Sequence, residues 1–201
     1  LKSAKLIFPM LIFSVFFAEP IMTCMYGDIY AQSSIYFVIK NLSGLFYIIP
    51  FYPIILAIGK TNSYANAHMI AAFMIVIAEY VVCKTFDSAV YVAITSELCN
   101  LFKIWLLLRV IANYAHMKIT ELLPPKPMTI LIMISALASL PPFLLLDFLN
   151  MNKFIVLFVC LGFFLVDYYV LCWICKVTYR DIAGGFLKNK SRLNAVVKIL
   201  P

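Results

Sequence analysis

Four polar side chains interrupt the apolar run YVAITSELCNLFKIW, residues 91–105: Ser96, Glu97, Asn100 and Lys103. At 3.6 residues per turn, Ser96, Asn100 and Lys103 share one helix face and Glu97 lies at its edge. A carboxylate in an apolar medium takes up a proton or a cation, and an ammonium there attracts an anionic group through charge-assisted contacts. Three further charges sit inside apolar runs: Glu19, Lys40 and Asp167. Lys40, Glu97, Asn100, Lys103 and Asp167 are therefore the candidate residues of a substrate or ion path. Enzyme chemistry lacks a comparable basis. The two histidines, His68 and His116, fall in no metal or acid–base motif, and neither a GxSxG nor a phosphate-cradling glycine loop is present. Cys172-Trp173-Ile174-Cys175 has redox spacing but lies within an apolar helix, where two small side chains one turn apart are the simpler account. The expectation is a protein that is not an enzyme, with no cofactor and no metal.

The elements that must carry these charges are set by composition. Hydrophobic residues make up 65% of the 201 and charged residues 12%, with a mean hydropathy of +1.00. Soluble domains are about half apolar and a quarter charged, so the chain belongs in a bilayer. Apolar runs of about 20 residues predict an all-α, polytopic protein. Six spans are expected, at about 5–25, 33–58, 64–82, 88–113, 127–148 and 153–177, forming a bundle over residues 1–179. Residues 180–201 alternate basic and apolar positions and suit an amphipathic cytoplasmic tail on an anionic leaflet. The net charge of +7 does not point to nucleic acid, because the cations cluster between spans and in the tail. With the N-terminus inside, twelve Lys and Arg fall on the cytoplasmic side and two, Lys84 and Lys153, outside. That bias places both termini in the cytoplasm.

Depth then suggests partners for the buried charges, at about 1.5 Å of rise per residue. Glu19 and Lys40 lie at matching depth on the first and second spans, about six and seven residues from the outer side. Lys103 and Asp167 match at about 15 and 14 residues. Two ion pairs, Glu19–Lys40 and Lys103–Asp167, are the expectation, either fastening helices together or lining a hydrated path. Prolines 9, 20, 50, 53, 141 and 142 predict kinks in the first, second and fifth spans.

The turn Met25-Tyr26-Gly27-Asp28-Ile29-Tyr30, running to Ser33, has its own physical logic. Gly27 permits a positive φ where a helix stops, Asp28 caps or turns, and Tyr26 and Tyr30 anchor at headgroup level. This knuckle, with the later turn Ala57-Ile58-Gly59-Lys60, resembles the polysaccharide flippases of the multidrug/oligosaccharidyl-lipid/polysaccharide exporter superfamily. The likeness covers about residues 5–113. It implies a bundle from a carrier of 12–14 spans, moving lipid-linked oligosaccharide of the O-antigen type across a bacterial inner membrane by alternating access. Six spans match only the C-terminal part of such a carrier, so the resemblance also implies a fragment. A further N-terminal lobe, or a second copy, would then complete the cavity. Lys40 and Lys103 would attract the diphosphate headgroup, and Glu97 or Asp167 would answer a coupling ion. A multidrug–cation antiporter of the same superfamily, or a membrane subunit or remnant that transports nothing, are the competing expectations. A native polypeptide about twice the present mass would favour the two-lobed carrier.

Overall fold

The two longest apolar runs without glycine or proline form unbroken helices here, those at Pro125–Leu145 and Lys153–Ile174 continue through internal proline or glycine, and the first two runs break. The computed structural model describes residues 4–47, 49–146 and 152–175. Every regular element among them is helical: α1 (Ala4–Phe16), α2 (Ala18–Tyr26), α3 (Ser34–Asn41), α4 (Phe51–Ala57), α5 (Thr61–Thr85), α6 (Ala89–Ala115), α7 (Ile119–Leu122), α8 (Pro125–Leu145) and α9 (Lys153–Ile174). Short 3-10 turns cover Asp28–Ser33 and Leu42–Phe46. Five stretches are long and apolar enough to cross a membrane, at Asp28–Ala57, α5, α6, α8 and α9. The α1–α2 pair makes a sixth if it counts as one span. The expected basic tail, 180–201, lies outside the described residues, as does Asp147.

The last four spans follow the sequence closely, but the first two are broken. The first bends by 77° between Phe16 and Ala18, just before Pro20 removes a donor from the new helix. The second stops at Asn41 and resumes only at Phe51, after Ser43, Gly44 and Pro50. Two carbonyls left open by a proline or at a helix end find donors on another helix. Pro9 has no N–H for the carbonyl of Lys5 four residues back, and the Tyr168 hydroxyl of α9 donates to that oxygen at 3.1 Å. At the end of α8 the N–H of Leu146 turns to the carbonyl of Phe143. The Pro142 carbonyl receives the Cys160 thiol instead, at 3.5 Å. Buried backbone acceptors without water need such donors.

The helices pack as two groups. Phe13, Phe17, Ile134, Ala138, Cys160 and Phe164 join α1, α8 and α9. Phe51, Ile55, Ala67, Ile104, Leu107 and Ile111 join α4, α5 and α6, with α7 laying Ile119 and Leu122 against them. On α5 only Ala67 and Ala71 are buried, one turn apart, which lets its backbone approach α6 closely. Much of the remaining apolar surface, such as Phe73, Val76, Phe158 and Tyr169, faces outward, as lipid-facing helices require.

α3 and the turn after it connect the groups. A Cβ on Gly44 would stand 2.8 Å from Leu11 Cδ2 of α1. Those atoms end a flexible side chain, so Gly44→Ala should lower stability by less than about 1 kcal/mol, whereas the bulkier Gly44→Val should cost roughly 1–3 kcal/mol. Thermal unfolding in detergent measures both. Leu11→Ala should relieve the valine, and equal losses with and without Leu11 would refute close approach as the reason for this glycine.

The knuckle forms much as its residues predict. Gly27 ends α2 at φ 96°, and the exposed rings of Tyr26 and Tyr30 lie 5.8 Å apart. Asp28 differs: it makes no cap, and pairs instead with Lys153 at the start of α9. That contact puts the knuckle and the α8–α9 connection at one end of the bundle, as an even alternation of spans demands. It is here called the knuckle end.

Candidate functional site

α6 is helical because 27 residues run without glycine or proline. Its polar side chains must therefore be satisfied laterally or by their own turn. Thr95 uses its turn, donating to the Tyr91 carbonyl at 2.8 Å. The others meet α3. Lys40, at the last turn of α3, holds Nζ 3.4 Å from Glu97 Oε2 and donates to Ser96 Oγ, also at 3.4 Å. Asn100 Nδ2, one turn along α6, donates to Glu97 Oε1 at 3.5 Å. Ser43 Oγ closes the end of α3 by donating to the Lys40 carbonyl at 3.3 Å.

The exposures of the two ions differ sharply. The Glu97 side chain is 2% exposed and that of Lys40 59%. Glu97 stands eight residues into α6 from the knuckle end, about 12 Å along the axis, so it cannot reach water by itself. Its Oε2 lies within ion-pair distance of the ammonium but has no aligned hydrogen-bond donor among the described residues. The carboxylate is thus buried, lightly bonded, and neutralised by a cation whose other side is open. Such an arrangement leaves Lys40 approachable while it neutralises Glu97.

Lys40 thus has a different partner from the one its depth suggested. Glu19 follows the 77° bend and is exposed on α2, where it lines a cleft of about 730 Å³ with Thr23, Asp28, Ser34 and Lys153 at the knuckle end. α2 touches α3, but α3 also packs against α6, and it is Glu97 that comes within reach of Lys40. The expected Lys103–Asp167 pair also does not form. Lys103 belongs to the α4–α5–α6 group and Asp167 to α9, which packs on α8, α1 and α2. Matching depth on two helices does not make them neighbours. Asp167 is half-buried on α9.

Lys103 instead lines a separate cavity of about 310 Å³ bounded by α4, α5, α6 and the break before α4. His68 lines it too, its ring 4.4 Å from that of Tyr64, which in turn lies 5.3 Å from Tyr52. Sequence reasoning gave His68 no role. Its signal was available in the spacing of Tyr64, Ala67, His68 and Ala71, one stripe of α5, whose alanines mark the face against α6. Cys172 and Cys175 point differently, the first buried and the second exposed.

The described residues thus hold two polar centres along α6: the Lys40–Glu97–Asn100 cluster towards the knuckle end, and the Lys103–His68 cavity beyond it. No protein family, curated protein or solved structure matches this chain.

Proposed function

We propose that this chain is the transmembrane bundle of a carrier for an anionic amphiphile, with lipid-linked oligosaccharide as the cargo that the knuckle and the Ala-Ile-Gly-Lys turn suggest. The observation that supports it best is the buried Glu97 neutralised by an ammonium open on its other side. A pair serving only to fasten helices would gain by closing both ions away from solvent and bonding them fully. This one is half open. Uptake of a coupling ion by Glu97 frees Lys40 for the diphosphate headgroup, and loss of that ion returns Lys40 and resets the site. Lys103 supplies a second cation further along the path. The bundle works in a cytoplasmic membrane, together with a further lobe or a second copy that closes the cavity. In that setting the cargo passes to the outer leaflet for surface polysaccharide assembly.

The test is export in cells carrying the full-length protein. Loss of one charge-assisted contact changes affinity by roughly 10- to 100-fold. Lys40→Ala and Lys103→Ala should therefore each cut surface glycan severely at normal protein levels. Undiminished export in the double variant would remove the headgroup assignment.

Glu97 by itself also favours a second reading, the export of an organic cation in exchange for a proton or metal ion. Under that reading Glu97→Gln abolishes drug efflux and Lys40→Ala does not.

A further inference from the structure

Lys103 has no counter-charge among the described residues. It stands 14 residues from Ala89 and 12 from Ala115, about 21 and 18 Å from the ends of α6. A lysine side chain reaches roughly 6 Å, so snorkelling to either interface does not account for it. Among the described residues no carboxylate lies within 4.0 Å of it. An ammonium at that depth costs roughly 2.5–3.5 kcal/mol on insertion scales unless something neutralises it.

The cavity it faces carries the complementary chemistry. Tyr47, Tyr52, Tyr64 and His68 share the lining with Lys103, and the remainder is apolar or proline. Tyr64 and His68, with the half-exposed Tyr47 and Tyr52 at the rim, offer hydroxyl and imidazole donors that match an anion with several acceptor oxygens better than a halide. At about 310 Å³ the space is at the small end of ligand clefts, roughly 300–1,000 Å³. It suits a headgroup and excludes a chain of sugars.

We propose that the α4–α5–α6 cavity is a binding site for a phosphate-class anion, with Lys103 as its counter-charge and His68 and the three tyrosines as its donors. The site is separate from the Lys40–Glu97 cluster. The inference rests on the transport reading only for what the anion does there, since Lys103 needs neutralising whether or not cargo moves. Two sources offer the same chemistry: free inorganic phosphate, and the phosphodiester of an anionic lipid entering between helices.

Native mass spectrometry of the full chain in detergent tests this, with inorganic phosphate and dioleoyl phosphatidylglycerol as probes. The wild type is expected to retain one equivalent of a probe. Lys103→Gln should weaken retention about tenfold or more, and Lys103→Arg should restore it. Retention of phosphate alone identifies a free anion, and retention of the lipid without phosphate identifies a headgroup; either supports the site. No retained probe, or equal retention by Lys103→Gln, overturns it. Should Lys103→Gln fail to fold, the Tyr52→Phe/Tyr64→Phe double variant carries the test, and unchanged retention there overturns the site. Because binding is read without transport, intact binding with lost export, or the reverse, separates this site from the carrier reading.

Discussion

Lys40→Ala is expected to destabilise the bundle far more than Glu97→Gln, although both break the same pair. Removing the ammonium leaves a carboxylate, 2% exposed, with one long contact from Asn100. Breaking a buried ion pair from one side costs about 3–5 kcal/mol. Lys40 is 59% exposed, so its contribution is discounted from that range. The expected loss is therefore roughly 2 kcal/mol. Glu97→Gln leaves a half-exposed ammonium that can swing towards headgroups or water, at less than about 1 kcal/mol. The double variant Lys40→Ala/Glu97→Gln should then match Glu97→Gln alone, since no buried charge remains. Unfolding in mixed micelles provides the cycle. Equal losses for the two single variants, adding in the double, would mean that the ions do not couple.

The second large effect belongs to a hydroxyl that repairs a proline. Tyr168→Phe removes the donor to the Lys5 carbonyl, to which Pro9, lacking an N–H, cannot donate. Removing the partner of a fully buried acceptor costs roughly 1–3 kcal/mol, and for this part-buried one a loss near the low end of that range is expected. In a Pro9→Ala background the alanine N–H can close the helix onto Lys5, so Tyr168→Phe should then cost only a few tenths of a kcal/mol. The same loss in both backgrounds would show that the ring, not the hydroxyl, carries the contribution of Tyr168.

These two sites show where sequence reasoning reached and where it stopped. Spans without internal breakers were legible: 64–82 and 88–113 were expected, and α5 and α6 cover Thr61–Thr85 and Ala89–Ala115. Gly27 was legible because one backbone angle decides it. Lateral position was not. Which helices become neighbours depends on the bend at Phe16 and on Gly44 admitting Leu11, and both are settled by packing between distant segments. Glu19 and Lys40 do not pair although α2 and α3 touch, Lys103 and Asp167 do not pair because α6 and α9 belong to different groups, and Lys40–Glu97 joins the second and fourth apolar runs. The polar face of α6 was readable from one segment. Its division between a charge cluster and a cavity required α3, α4 and α5 to be in place. His68 was missed because a lone histidine in an apolar run carries no motif.

The carrier account stands on the polar stripe of α6 facing a hydrated path rather than a sealed contact. Single cysteines at positions 96, 98, 100 and 102, in the full-length protein with its native cysteines replaced, measure this through a membrane-impermeant, charged thiol reagent. Leu98 and Phe102 are exposed apolar positions on the same helix and serve as lipid-facing controls. The account predicts labelling at 96 and 100, none at 98 and 102, and a change in rate when Glu97→Gln frees Lys40. Protection at all four positions would contradict it, leaving Lys40 and Glu97 as a fastening between helices in a protein that carries nothing.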